Sequence, residues 1–328
     1  MSSSRLRFGV LGAADIGLRR TIPALIADPD IDVTAIASRD AAKAARFAER
    51  FGCEAVTGYD ALLSRDDIDA VYIPVPVMLH TEWVEAALLR DKHVLVEKPL
   101  AATRSRTEEL IDLARSRGLV LMENFTSLHH AQHAAVMKQL GEGAIGELRS
   151  LSAAFTIPPK AEGDIRYQPD VGGGALLDIG IYPLRAALHI LGPEVEVVGA
   201  VLRQERRRDV VLSGHVLLTT PQGVVADLAF GMEHAYRAEY TLFGTAGRLR
   251  LDRAFTPPET HLPRLEITRQ DSNEVLALPA DAQFANLVRQ FALSARRDTG
   301  QLARHHADAV LQADLIERVM DAARVCPC

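Results

Sequence analysis

The segment "FGVLGAADIGLRRTIPAL", Phe8–Leu25, decides the fold. Phe8–Leu11 is an apolar run of the length and texture of a buried strand. It breaks at Gly12-Ala13-Ala14-Asp15-Ile16-Gly17, and a helical pattern follows. A glycine directly after a strand permits a tight turn, and the last glycine lets the helix lie close on the strand. The start of the helix then offers unpaired backbone N–H groups and a partial positive charge, which suit a pyrophosphate. This is the dinucleotide-binding pattern, with Ala14 where a second glycine usually stands. Gly12, Ala13, Ala14, Asp15, Ile16 and Gly17 are therefore candidate cofactor-binding residues.

The surroundings support that reading. Up to Glu123, short apolar runs ("VTAIAS", "AVYIPVP", "HVLVE", "LVLME") alternate with helical stretches such as "AAKAARFAERFG" and "TEELIDLA". Strands alternating with helices form a parallel sheet covered on both faces. After about Ser150 the texture changes. Pro221-Gln222-Gly223, Gly244 to Gly247 and Asp271-Ser272-Asn273 each separate two strand-like runs, as hairpin turns do. The expectation is an α/β chain in two parts. Residues 1–123 form a Rossmann-type parallel sheet. Residues 124–328 form an α+β domain with a large, mainly antiparallel open sheet and two helices, Gln283–Ala295 and Leu302–Ala323.

Bulk properties exclude several classes. A chain of 328 residues is too long for one typical core. Its net charge of −6 favours neither nucleic acid nor an anionic membrane as partner. The start "MSSSRLRFGVL" has no long apolar run before a small-residue cleavage site, so no secretory leader is read. No apolar run approaches the roughly 20 residues that cross a bilayer. Three cysteines, Cys53, Cys326 and Cys328, are too few for a disulfide framework and fit a reducing cytoplasm. The terminal "CPC" reads as a frayed tail. His129, His130 and His133 in "LHHAQHAA" could meet a zinc ion on a helix, but no Glu follows in the HExxH sense, so they read as polar helix residues and no metal is expected. "RQERRRD", 203–209, reads as a solvated turn, and "RHHAD" near Arg304 as a helix surface.

Three further stretches carry chemistry. The second strand ends at Ser38-Arg39-Asp40. A hydroxyl and a guanidinium suit the 2′-phosphate of NADP; Asp40 either holds a ribose in an NAD enzyme or caps the next helix. Capping is the better account, and NADP(H) is the expected cofactor. "HVLVEKP" closes a strand on Glu97-Lys98-Pro99, where ligands of open parallel sheets bind, and Pro99 stops the strand while Lys98 presents an ammonium. "VGGGALLDIGIYPLRAALHILG", Val171–Gly192, carries three glycines and then a helical pattern that places Asp178 and Tyr182 four apart, on one face. A phenol is a plausible proton donor to an alkoxide, and a neighbouring ammonium makes it a better acid.

"GVLGAADIG", "EKP" at 97–99 and "GGGALLDIGIY" at 172–182, in that order, resemble the Gfo/Idh/MocA oxidoreductase family. The resemblance implies that Lys98 and Tyr182 form the catalytic pair. It also implies that Tyr59, Leu79, His80, Glu97, Arg166 and Asp178 line the cofactor. "LMENFTSLHHAQHAAV", "GDIRYQPDVGGGALLDIGIYPLR" and "FGMEHAYRAEYTLFG" followed by "LDRAFTPP" are similar to nucleotide-sugar 3-ketoreductases within that family. The implied reaction is NADPH-dependent reduction of the C3 ketone of a dTDP-linked keto-deoxyhexose in antibiotic biosynthesis. Arg20, Tyr236 and Thr256, with Lys98 and Tyr182, are the candidates for holding that substrate. Either Tyr182 or Lys98 can deliver the proton. The open sheet implies a homodimer or homotetramer. Two other readings stand beside this one: a dehydrogenase of a free sugar or cyclic diol, and a non-catalytic NADP-binding regulator.

Overall fold

The structure, a computed structural model, describes residues 5–296 and 301–328. Met1–Ser4, part of the stretch in which no leader was read, lies outside the described residues. Contacts divide the chain into two units: 1–126 with 284–310, and 127–283 with 311–328.

The first unit is built on six parallel strands: β1 (Leu6–Leu11), β2 (Ile31–Ser38), β3 (Glu54–Thr57), β4 (Ala70–Ile73), β5 (His93–Val96) and β6 (Leu121–Glu123). Their order is β3-β2-β1-β4-β5-β6, so the chain reverses its direction of travel between β1 and β4. That switch point is where open parallel sheets bind ligands. The central strands are apolar throughout because helices cover both faces. These helices include α1 (Ile22–Ala27), α2 (Ala41–Phe51), α3 (Tyr59–Leu63), α4 (His80–Leu88) and α5 (Arg104–Ser116). Edge strand β3 is short and largely exposed, so the sequence shows no apolar run there.

Residues 284–310 also belong to this unit, although the sequence reading assigned all of 124–328 to the second part. Leu287, Val288, Phe291 and Ala292 are buried with Phe8, Ile36 and Tyr72, and the rings of Phe8 and Phe291 lie 5.4 Å apart. Helical periodicity shows which side of a helix is apolar but not which sheet it covers.

The second unit holds α6 (Ala131–Gly141), α7 (Ile181–Leu191) and a nine-stranded sheet. Its strands are β7 (Leu148–Thr156), β8 (Glu196–Glu205), β9 (Val210–Thr219), β10 (Val225–Gly231), β11 (Arg237–Gly244), β12 (Arg248–Leu251), β13 (Arg264–Arg269), β14 (Ser272–Ala277) and β15 (Ala323–Pro327). The order is β14-β13-β12-β11-β7-β10-β9-β8-β15; the β7–β10 and β8–β15 pairs are parallel and the others antiparallel. The three turn segments read from sequence mark the β9–β10, β11–β12 and β13–β14 connections, with Gly244 closing β11 and Ser272-Asn273 opening β14. Helices α8 (Gln283–Arg296) and α9 (Gln301–Asp321) match the two expected near the C-terminus.

Several local readings change. The "CPC" tail is ordered: β15 runs along β8, and the Cys328 N–H donates to Gln204 O at 2.9 Å. One run, Pro169–Leu191, is long and apolar enough to cross a membrane by length and composition, but 67% of its most apolar window is buried in the protein. It is helical in pieces whose polar residues hid its length. In "RHHAD", His306 is buried and its Nε2 meets Leu121 O at 2.9 Å, so that helix face is not solvated. In "RQERRRD" the guanidinium of Arg208 covers the ring of Tyr167 at 4.1 Å. His130 and His133 are buried rather than surface residues, and no metal-ligating cluster occurs among the described residues.

Candidate active site

In the first unit the phosphate loop follows β1. Gly12 has φ +129°, and a Cβ there would stand 3.2 Å from Val75 Cγ1 in the segment after β4. A Cβ on Gly17 would meet Tyr72 Cε1 at 3.3 Å, the close helix-on-strand approach that the last glycine permits. Ala14 is half-buried, and the exposed Asp15 pairs with Arg19 at 2.5 Å. The helix opens with a π-helical turn, Gly17–Thr21, which carries Arg20. Such turns recur at functional sites.

At the end of β2, Asp40 is engaged by its own helix. Its Oδ1 accepts from the N–H groups of Ala42 and Lys43 at 2.9 and 3.1 Å, and its own N–H donates to Ser38 Oγ at 3.2 Å. The carboxylate caps α2, as the sequence indicates. Burial pushes the Tyr59 phenol pKa up, and a hydrogen bond and the charge of Arg39 oppose that. Tyr59 meets Trp83 edge-on, with centroids 5.0 Å apart. Ser38, Arg39 and Tyr59 thus form one group.

At the end of β5, Glu97 is buried. Its Oε1 accepts from Tyr72 Oη and Asn124 Nδ2, each at 2.6 Å, and Thr21 Oγ1 lies 3.1 Å from both donors. Burial pushes the Glu97 carboxyl pKa up against these hydrogen bonds. The network ties the π-helical turn to the strand end that carries Lys98. The half-buried Lys98 sits in a pinned segment: the Glu97 N–H donates to Ile73 O at 3.1 Å and the Leu100 N–H to Glu123 Oε1 at 3.0 Å. The Lys98–Pro99 peptide is cis. His80 is held by backbone groups of two loops. Its two ring nitrogens face Pro99 O and Val75 O, both at 2.8 Å, and burial lowers its pKa. The ring is a strut between two loops. Leu79 precedes it, half-buried, at the end of a short 3-10 turn.

In the second unit, Arg166 Nε donates to Asp178 Oδ2 at 2.5 Å and its Nη1 to Asp164 Oδ1 at 3.1 Å. Burial acts to lower the Arg166 pKa, but the two carboxylates outweigh it and the pKa rises. Asp178 lies in a second π-helical turn, Leu176–Gly180, ahead of α7. This turn leads directly into α7, which carries Tyr182. A Cβ on Gly180 would stand 3.1 Å from the Phe230 ring, so the missing side chain seats the turn on β10.

Tyr182 and Tyr236 both meet the ring of Phe155. Phe155 meets Tyr182 edge-on at 5.1 Å and Tyr236 at 6.5 Å. Phe255 tilts against Tyr182 at 5.8 Å, and the exposed Thr256 follows it. Arg253 lies over the Tyr236 ring at 5.6 Å. The sequence reading named neither phenylalanine. It also omitted Tyr72, Thr21 and Asn124, since nothing in a sequence separates a buried hydroxyl that supports a site from one that fills a core.

Two family models match. Residues 6–125 match the oxidoreductase family described as an NAD-binding Rossmann fold, and 133–250 match the GFO/IDH/MocA C-terminal domain. The chain belongs to the Gfo/Idh/MocA oxidoreductase family. Among its relatives is the dTDP-3,4-didehydro-2,6-dideoxy-alpha-D-glucose 3-reductase of Streptomyces antibioticus, 77% identical over 99% of both chains. A 3-ketoreductase from Actinomadura kijaniata, solved with NADP and TDP-benzene, is 55% identical with a TM-score of 0.96, covering 99% of this chain and 100% of that one. The kijaniata enzyme was also solved as a variant with a lysine changed to alanine and as one with a tyrosine changed to phenylalanine.

Proposed function

We infer that this chain reduces the C3 ketone of a dTDP-linked 3,4-diketo-2,6-dideoxyhexose with NADPH, a step of deoxysugar assembly in antibiotic biosynthesis. The observation that carries this reading is 77% identity across 99% of the Streptomyces antibioticus reductase. The cofactor residues fit NADP. Gly12, having no Cβ, turns tightly against Val75, Asp40 is occupied as a helix cap, and Ser38 and Arg39 remain to take a 2′-phosphate. When bound, NADPH supplies the hydride. In this reading Tyr182 donates a proton to O3 as charge develops there, and Lys98 polarises the carbonyl. The lysine and tyrosine altered in the kijaniata variants lie as far apart in that chain as Lys98 and Tyr182 do here, which supports the pairing. Arg166 and Asp178 fix the charge beside the nicotinamide. Arg20, Tyr236 and Thr256 hold the nucleotide-sugar.

Outside the site, Val201, Leu217, Val225, Phe243 and Val275 are exposed on the outer face of the large sheet, which supports a homodimer or homotetramer formed there. A cytoplasmic location fits the free cysteines and the NADPH requirement.

The test is NADPH consumption with the dTDP-linked diketo sugar generated in situ, with the product identified by mass spectrometry. Turnover with a free sugar or cyclic diol, and none with the dTDP-sugar, would reject this reading. Tyr182→Phe is expected to lower kcat by roughly 10²–10⁴ while NADPH still binds.

A further inference from the structure

The histidine-rich segment Leu128–Ala135 has no part in the chemistry above, yet it reaches the candidate proton donor in two steps. Two rings flank Tyr182. Phe155 belongs to β7, which is hydrogen-bonded on both sides by β10 and β11. Phe255 belongs to the segment after β12, which has no ladder to fix it. Arg253, two residues earlier, has φ +45°, a left-handed conformation that a non-glycine residue holds only when its surroundings impose it.

The next peptide, that of Ala254, is held on both sides. Its N–H donates to Ala238 O at 2.7 Å. Its carbonyl receives two side-chain donors from α6, Gln132 Nε2 at 2.9 Å and His133 Nε2 at 2.9 Å. A carbonyl oxygen only accepts, so His133 carries its proton on Nε2, and Nδ1 accepts from the Tyr240 hydroxyl at 3.0 Å. Tyr240 is buried in the middle of β11. Burial, with the nearby His189, pushes the His133 pKa down to about 3, so the ring stays neutral and the tautomer is fixed. A relay of hydrogen bonds therefore runs from the sheet through His133 to the backbone next to Phe255.

We propose that His133 and Gln132 are positioning residues for Tyr182: through the Ala254 carbonyl they set the Phe255 ring, and Phe255 with Phe155 sets the orientation of the phenol. The same carbonyl fixes the approach of Thr256 to the substrate. A core histidine needs one partner for each ring nitrogen. Here two side chains converge on one carbonyl in an irregular stretch that touches the Tyr182 ring. The inference rests on the reading of Tyr182 as proton donor for its effect on rate, but not for its effect on geometry.

The experiment uses the full chain with 3-fluorotyrosine incorporated at Tyr182 and follows both its 19F resonance and steady-state kinetics. In His133→Leu the resonance shifts or broadens, and kcat falls roughly tenfold to a hundredfold while the NADPH Kd stays within about twofold. His133→Gln, whose amide can still donate to Ala254, restores the resonance and most of kcat. Gln132→Met removes one donor at nearly constant volume and gives the same change in smaller measure, should His133→Leu fail to fold. A resonance unmoved in His133→Leu and Gln132→Met overturns the proposal whatever kcat does, as does His133→Gln behaving like His133→Leu. A resonance that moves with kcat unchanged supports the positioning and rejects Tyr182 as the proton donor.

Discussion

The Tyr72 hydroxyl donates to Glu97 Oε1 at 2.6 Å, and Asn124 Nδ2 donates to the same oxygen at the same distance. The carboxylate is buried, so the donors partly replace its lost hydration. Removing one exposes the asymmetry of buried hydrogen bonds, in which the deserted partner keeps its full desolvation penalty. Tyr72→Phe is expected to destabilise the first unit by about 1–3 kcal/mol. Trp83 is the only tryptophan in the chain and lies in that unit, so its fluorescence during urea unfolding reports the effect. An unchanged midpoint would mean that Glu97 does not depend on Tyr72.

The raised pKa of Glu97 has a pH signature of definite sign. The folded state holds this proton more tightly than the unfolded chain does. The stability it contributes is fully present below the ordinary glutamate value and is lost as pH rises through the raised one. Glu97→Gln keeps the acceptor oxygen without the charge. It is expected to leave the first unit at least as stable as the wild type at neutral pH, and to flatten the loss of stability on the alkaline side of the ordinary value. A clear loss of neutral-pH stability in Glu97→Gln would show that the charge, with Lys98 beside it, is net stabilising.

His133 has the opposite sign. Its pKa is lowered from 6.5 to about 3, so below 6.5 the unfolded chain takes up a proton that the folded protein refuses. Its contribution is present above 6.5 and fades as pH falls toward about 3. Within that window one such group changes stability by about 1.4 kcal/mol per pH unit. His133→Gln is expected to reduce the acid sensitivity of the second unit relative to wild type, seen as a smaller drop in Tm between neutral pH and pH about 4. Other buried histidines titrate in both proteins, so the comparison isolates this one. Parallel pH profiles of the two proteins would refute the assignment.

The end of β2 separates cofactor choice from helix capping. Arg39→Ala is expected to raise KM for NADPH roughly tenfold or more while KM for NADH changes little, since only NADPH presents a 2′-phosphate. Asp40→Ala removes the cap of α2 and is expected to cost about 1 kcal/mol of stability without reversing the preference. A fall in KM for NADH in Arg39→Ala, with Asp40 intact, would show the carboxylate free to leave the helix. An equal rise in both KM values would place Arg39 outside the 2′ pocket.

How much of this was legible in advance follows from the range of the interactions. Gly12 to Gly17, the cap at Asp40 and the strand end at Glu97 are local: each depends on backbone constraints within a few residues, and the sequence displays them. The alternation of strands and helices up to Glu123, and the hairpin turns after Ser150, are local in the same way. His80, His133 and Phe284–Val310 depend on partners far along the chain. A histidine that bridges two carbonyls looks in sequence like one that awaits a ligand, and α8 displays an apolar face without naming its sheet. The two π-helical turns escaped as well, because glycines such as Gly17 and Gly180 permit an inserted residue without requiring one.

The charge run at 203–209 yields the last prediction. Two non-glycine residues near it, Asp209 and Glu233, have φ of 54° and 63°. Between them the Arg208 guanidinium lies over the Tyr167 ring at 4.1 Å and pairs with Glu205 at 2.6 Å, while the Tyr167 hydroxyl donates to Glu233 Oε1 at 3.1 Å. Tyr167 follows Arg166, whose pairing with Asp178 belongs to the candidate site. The planar cation over the ring is expected to contribute about 1–2 kcal/mol, because the contact is partly desolvated. Arg208→Ala should lower the stability of the second unit by that amount and raise KM for NADPH several-fold through a loosened Arg166. Arg208→Lys should recover only part of either effect, since an ammonium has neither the flat face nor the fork of a guanidinium. Full recovery by lysine would reduce Arg208 to a simple counter-charge for Glu205, and an unchanged KM in Arg208→Ala would disconnect the clamp from the site.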